Sequence, residues 1–298
     1  MSEESINDRT KVIGDILSTK FEEIKNIAIG NTCDSGIPVS FYDYDAMTQG
    51  LPRGGLIVLG GRPAMGKTSF SLNMALNVAK THNLPICLFY LEITKEQISN
   101  RLLSMELGIE SGRLRTGRLQ QDEWFALDAG INSLSKLPLH ISDKSISSVQ
   151  EMQSICQKIK EESTKKSLGL VILDYVQLLD YLPISVVSNR EEYLLKLAKN
   201  LKRMAEELNV PVIAISQLSK DVEKRRNKRP MLSDIRDFEP LEVYSDIITM
   251  IYRDEYYNPE TEDRGIAEII TCKHRNGPIG TVKLLFEPQF TRYRNLST

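Results

Sequence analysis

An α/β fold, with a mostly parallel sheet flanked by helices on both faces, is what the sequence predicts, on three observations. Short apolar runs recur at 56–59, 85–91, 168–174, 210–217 and 247–252, near-continuous rather than alternating. Helical patterns separate most of them, the arrangement that buries parallel strands on both sides. A glycine-rich turn follows the first run directly and opens a helix behind it.

Taken in order, residues 1–30 read as a helix. Val12, Ile13, Ile16, Leu17, Phe21, Ile24 and Ile27 recur at helical spacing, with Lys20, Glu22, Glu23 and Lys25 between them. Such a stripe either packs on its own domain or docks as an arm on a neighbouring subunit. A break at Gly30-Asn31 and Ser35-Gly36-Ile37-Pro38 divides the chain into an arm, 1–34, and a main domain, 35–298. Strand 56–59 then feeds a helix from Lys67 that turns Phe70, Leu72, Ala75 and Val78 inward. Strand 85–91 ends at Glu92, and helices fill much of 95–136 and 147–162. Strand 168–174, helix 190–208 and strands 210–217 and 247–252 follow. The pattern changes last, where 266–273 and 281–286 read as a C-terminal β-hairpin around Asn276-Gly277. No internal repeat is present, which argues against a tandem two-lobed ATPase.

Composition narrows the classes. Hydrophobic residues make up 41% and charged residues 26% of the 298, an ordinary globular balance far from the disordered regime. No apolar run approaches the roughly 20 residues that span a bilayer, and Met1-Ser2-Glu3-Glu4-Ser5 lacks the basic start of a signal peptide. Cys33, Cys87, Cys156 and Cys272 form no CxxC pair, and His82, His140 and His274 are scattered. Neither a disulfide framework nor a zinc site is expected, and a reducing compartment fits. A net charge of −2 excludes a global polycation, so any contact with nucleic acid needs a local cluster.

The chemistry starts at Gly61-Arg62-Pro63-Ala64-Met65-Gly66-Lys67-Thr68, a full GxxxxGKT match between a predicted strand and a predicted helix. Its glycines let backbone N–H groups converge on phosphates at a helix N-terminus. Lys67 is expected to reach the β and γ phosphates and Thr68 to hold Mg²⁺, with Ser69 completing the nucleotide site. Asp174, at the end of a strand, is the second expected Mg²⁺ partner, against a helix-capping alternative. Glu92 and Gln217 also stand at strand ends, where open α/β sheets bind ligands. Glu92 is the candidate for polarising the attacking water, against a role in capping the helix from Thr94. The tip Lys273-His274-Arg275-Asn276-Gly277 is either simply solvated or an arginine finger supplied in trans. Lys220, Lys224, Arg225, Arg226, Lys228 and Arg229 form the one basic stretch, read as a solvated face or a DNA contact.

Several of these runs together resemble the replicative DnaB-type helicases. They are 60–68, Leu91-Glu92, Leu173-Asp174-Tyr175-Val176-Gln177-Leu178 and Ile215-Ser216-Gln217-Leu218-Ser219. Lys228-Arg229-Pro230-Met231-Leu232-Ser233-Asp234-Ile235-Arg236, Tyr252-Arg253-Asp254-Glu255-Tyr256-Tyr257 and Lys273-His274-Arg275-Asn276-Gly277-Pro278 extend the match from about residue 10 onwards. The resemblance implies a RecA-like ATPase core, a homohexameric ring on single-stranded DNA and 5′-to-3′ unwinding. By it Lys67, Thr68 and Asp174 serve ATP and Mg²⁺, Glu92 is the catalytic carboxylate and Gln217 senses the γ phosphate. Lys273 and Arg275 match the positions that reach the adjacent nucleotide, and residues 10–28 match the linker helix that docks on a neighbour. The family's N-terminal collar domain lies outside the match. A primase and a helicase loader are further partners it implies, in a bacterial cytoplasm or a plastid stroma.

The chain departs from the family between Arg236 and Asp246. In place of a Ser-Gly loop followed by Glu-Gln-Asp-Ala-Asp it has Asp237-Phe238-Glu239-Pro240-Leu241-Glu242-Val243-Tyr244-Ser245-Asp246. In that family the glycine region approaches DNA through main-chain N–H groups, so Glu239 adds a negative charge and Pro240 removes a donor. Tyr193, Leu195 and Ala198 also stand where the family tends to be more polar. Two rivals therefore accompany the helicase reading. One is a RecA-like ATPase of another class, a recombination mediator or clock-type hexamer, against which 228–236 and 273–278 speak. The other is a ring-associated regulator that binds ATP without unwinding, favoured by the altered 237–244 segment.

Overall fold

The computed structural model describes residues 12–28, 36–143, 146, 148–165, 167–179 and 190–296. Nine strands form one sheet in the order β3-β2-β4-β5-β1-β6-β7-β8-β9. They are β1 (Leu56–Gly61), β2 (Ile86–Tyr90), β3 (Leu139–Asp143), β4 (Leu170–Asp174), β5 (Val212–Gln217), β6 (Ile247–Tyr252), β7 (Ile266–His274), β8 (Gly280–Glu287) and β9 (Arg292–Asn295). From β3 to β6 the pairing is parallel, and β7, β8 and β9 add antiparallel steps. The predicted RecA-like α/β class stands.

Helices cover both faces. In chain order they are α1 (Ile13–Ala28), α2 (Tyr42–Thr48), α3 (Lys67–His82), α4 (Lys95–Leu107), α5 (Ser111–Thr116), α6 (Gln121–Leu134), α7 (Val149–Glu162), α8 (Arg190–Leu208), α9 (Glu239–Tyr244) and α10 (Asp254–Tyr257). The period of two along each strand sorts side chains into two cores. Ile57, Leu59, Leu170 and Ile172 face α3 and α4, through Phe70, Leu72, Ala75, Ile98 and Leu102. Leu56, Val58, Val171 and Leu173 face α7 and α8, through Met152, Cys156, Ala198, Leu201 and Ala205. Burial on both faces is why these strands read as unbroken apolar runs.

Among the elements that escape the sequence pattern, three do so for a clear local reason. β3, Leu-His-Ile-Ser-Asp, is the edge strand and carries polar residues on alternate positions. β9, Arg-Tyr-Arg-Asn, buries only Tyr293 and owes its conformation to pairing with β8. α9 begins Glu239-Pro240, and a proline in the first turn forfeits no helical hydrogen bond.

Two apolar surfaces stay outside both cores. Val12, just before α1, and Ile13, Ile16, Leu17, Phe21 and Ile24 on it are exposed, so the stripe has no cover among the described residues. Residues 1–11 and the side chain of Ile27 lie outside the description. On α6, Trp124, Phe125 and Ile131 are exposed, while Gly130 lies against Leu107 of α4. Among the described residues, no helix is long and apolar enough to cross a membrane.

Candidate active site

The strand register brings the predicted polar residues to one level. β1 ends at Gly61 beside Gln217 of β5, and Tyr90 of β2 pairs with Asp174 of β4. Glu92 follows β2 by two residues, and α3 opens at Lys67. A cleft of about 350 Å³ results, lined among others by Gly66, Lys67, Thr68, Glu92, Asp174 and Gln217. Gly66 turns the chain with φ +96, a backbone region that favours glycine, and its carbonyl accepts Phe70 N at 2.9 Å as α3 begins.

Charge is balanced inside this cleft. Lys67 Nζ donates to Arg62 O at 3.0 Å. Burial pulls the ammonium down to about 8, against the upward pull of Asp174 and Glu92. Asp174 is buried, and that burial pushes its carboxyl above the ordinary carboxylate value, opposed by the Thr68 hydroxyl and the Lys67 charge. Thr68 Oγ1 donates to Asp174 Oδ2 at 2.6 Å. Glu92 and Gln217 are exposed to the cleft's solvent. Gln177 holds Gln217 by its main chain, accepting Gln217 N at 3.3 Å and donating to Gln217 O at 3.2 Å.

Not every residue of the GxxxxGKT run faces the cleft. Pro63, Ala64, Gly66, Lys67, Thr68 and Ser69 line it. Gly61 lies beneath, where an added Cβ would meet Lys67 Cγ at 3.2 Å. Met65 is buried, and Arg62 turns away to donate to Leu218 O at 2.7 Å and Glu223 Oε1 at 2.8 Å. Arg62 and Met65 therefore bring no side chain to the cleft. Two cations that sequence reasoning did not single out do line the cleft, Arg101 of α4 and Arg253 after β6. Arg253 donates to Ala64 O at 3.1 Å and lies 4.5 Å over the Phe286 ring. The resemblance covers Arg253 as one residue of a run; nothing in the helical pattern marks Arg101.

Lys273 and Arg275 sit far from this cleft. Arg275 N donates to Asp246 O at 2.9 Å and Asp246 N to Leu56 O at 2.8 Å, level with the start of β1. The phosphate loop leaves the other end of β1, roughly 17 Å away at about 3.3 Å per strand residue. Nor does the tip project freely, as its hairpin reading implies. Arg275 folds back to Val243 O at 2.7 Å and Ser245 O at 3.2 Å, and Lys273 Nζ donates to Glu242 O. These carbonyls end α9, which places two cations where a helix C-terminus favours them.

The basic stretch is likewise not one face. Arg225 makes a bidentate pair with buried Asp234, at 3.0 and 2.7 Å, and Arg229 another with Glu268, at 2.8 and 2.7 Å. Arg229 lies 4.8 Å over the Tyr252 ring and Lys228 4.7 Å over Tyr257, the two rings being stacked 6.0 Å apart. Lys224 pairs with Asp221 at 2.6 Å. Lys220, Lys224 and Arg226 are exposed, so half of the run holds its own fold and half meets solvent.

Comparison with known proteins agrees with this geometry. Residues 36–295 match the model of the DnaB-like helicase C-terminal domain. A probable replicative DNA helicase of Trieres chinensis is 44% identical over 87% of this chain and 57% of its own length. The replicative DNA helicase DnaB of Geobacillus stearothermophilus is 40% identical over 96% of this chain and 62% of its own. The chain thus spans about three fifths of the curated relatives it matches. A solved ATPase domain, 36% identical, superposes with a TM-score of 0.88 over 97% of this chain and 100% of that one. A solved DnaB-like replicative helicase, studied with its interactions with primase, gives 35% and 0.86 over 97% of this chain and 68% of that one. With the family model covering residues 36–295 and these relatives agreeing, this chain belongs to the DnaB-like helicase C-terminal domain family.

Proposed function

We propose that this chain is the motor of an ATP-driven DNA helicase, moving 5′ to 3′ on single-stranded DNA as a homohexameric ring. The observation that carries it is a separation. Lys67, Thr68, Glu92, Asp174 and Gln217 share one cleft, while Lys273 and Arg275 stand at the opposite end of the same sheet. Phosphoryl transfer needs cations around the γ phosphate, and a finger supplied in trans answers that need.

In this reading Lys67 pairs with the β and γ phosphates of ATP. Thr68 and Asp174 are the oxygens that would hold Mg²⁺, which takes few protein ligands beside phosphate and water. Their hydroxyl and carboxylate already converge, so the pair fits such an ion. The ion, when bound, neutralises charge on the phosphates. Glu92 orients the attacking water and draws its proton. Gln217, fixed by Gln177, registers whether the γ phosphate is present.

Assembly uses the two uncovered apolar surfaces. The α1 stripe within the arm 1–34 docks on the neighbour's α6, against Trp124, Phe125 and Ile131. Burying one phenylalanine contributes about 1.5–3 kcal/mol, so Phe125→Asp is expected to weaken subunit association at least about tenfold. Phe125 is 77% exposed, so the subunit's thermal midpoint should not move. An unchanged mass distribution in sedimentation would remove this contact.

Lys220, Lys224 and Arg226 supply DNA backbone contacts, with Arg225, Lys228 and Arg229 holding the segment in shape. Binding then tolerates any sequence and weakens with salt. A primase and a loader complete the partners, in a bacterial cytoplasm or a plastid stroma. The test is the ATPase rate with and without single-stranded DNA, together with strand displacement. Stimulation and displacement are expected; turnover indifferent to DNA would leave an ATPase of another class. The α9 segment, with Glu239-Pro240 in place of the family's glycine loop, favours the second reading of a regulator. Stimulation without displacement is the outcome that would select it.

A further inference from the structure

The phosphate loop is braced from beneath by a residue of the last strand. Tyr293 in β9 is buried, with its hydroxyl 3.2 Å from Met65 O and 3.3 Å from Gly66 O. A phenol donates to carbonyls, so its one proton is shared between these two acceptors. Burial pushes the phenol well above its usual range, slightly opposed by Arg253, and the proton stays in place at neutral pH.

The ring cannot easily move. It packs 5.1 Å from Phe70 and 4.6 Å from Phe286, centroid to centroid. Tyr293 N donates to Asn73 Oδ1 at 3.2 Å, and Asn73 Nδ2 donates to Ser69 O at 2.8 Å, which ties the strand to the first turn of α3. The approach is also close. A Cβ on Gly66 would fall 2.4 Å from the hydroxyl oxygen, so this contact requires glycine there as much as the turn does.

Peptide geometry gives the contact its consequence. In a planar trans peptide the C=O of one residue and the N–H of the next point in opposite directions. The carbonyl oxygens of Met65 and Gly66 both lie on the Tyr293 side of the loop, Gly66 O also accepting Phe70 N at 2.9 Å. The N–H groups of Gly66 and Lys67 therefore point the other way, toward the cleft, where converging N–H groups bind phosphate. We propose that Tyr293 is a positioning residue for nucleotide binding, its hydroxyl fixing the two peptide planes whose N–H groups meet the phosphates. This rests on the reading of the cleft as a nucleotide site.

Tyr293→Phe removes one oxygen and keeps the ring. Titration of a fluorescent ATP analogue with Mg²⁺ is expected to show about tenfold weaker binding, the scale of one hydrogen bond to a charged group. The ATPase rate at saturating ATP should fall less than about threefold, because the variant alters binding and leaves Glu92 and Asp174 untouched. The thermal midpoint should move by only a few degrees. Equal affinity in variant and wild type would overturn the clamp. So would an affinity loss that tracks partial unfolding at the assay temperature. Failure of the wild type to bind the analogue would instead remove the nucleotide reading, and the clamp with it.

Discussion

Replacing Arg275 with alanine is expected to lower the ATPase rate by about a thousandfold or more, the scale of a transition-state arginine supplied to a γ phosphate. Nucleotide affinity of the same chain should change little, because Arg275 stands at the end of the sheet away from its own phosphate loop. The side chain also holds Val243 O and Ser245 O at the end of α9, so a structural loss must be told apart from a catalytic one. Mixed subunits do this. Lys67→Ala inactivates its own cleft but keeps Arg275, while Arg275→Ala keeps an intact cleft. Mixing the two should restore part of the activity that each lacks alone. No recovery, with both variants folded and assembled, would rule out a shared site. A rate for Arg275→Ala within a few-fold of wild type would do the same.

That prediction marks where the sequence stops being legible. The phosphate loop is written in steric terms: a glycine at φ +96, a lysine and a hydroxyl at fixed spacing, a buried strand before and a helix after. Local chemistry of that kind can be read residue by residue, as can Asp174 and Gln217 at strand ends. Lys273 and Arg275 are legible as residues but not as places, because their position depends on β7 pairing antiparallel with β6. The basic stretch misleads for a related reason. Asp234 and Glu268, which absorb Arg225 and Arg229, lie 9 and 39 residues away in the chain. Arg62 misleads because its side chain leaves the cleft for Glu223, 161 residues further along the chain. Tyr293 is illegible altogether, a single tyrosine between two arginines whose role exists only once β9 reaches the loop.

Glu92→Gln should separate binding from chemistry most sharply. The amide matches the carboxylate in size but cannot take a proton from water, and general base catalysis contributes about 10²- to 10⁴-fold. A fall in turnover of that order is expected, with ATP still bound. The electrostatics argue for measuring near pH 7. Glu92 is one of the charges that hold the Lys67 ammonium up against burial, and with that support it still lies at only about 8. Removing Glu92 lets Lys67 lose its proton more readily in the free cleft, so binding should weaken as pH rises toward 8 and earlier than in wild type. Bound phosphates restore the proton, because they supply the negative charge that Glu92 gave. The variant should therefore trap ATP at neutral pH and release it more readily in mild alkali. Turnover within about threefold of wild type would show that another group activates the water. Loss of binding at pH 7 would show that Glu92 serves the ground state, and the assignment of catalysis to this carboxylate would fall.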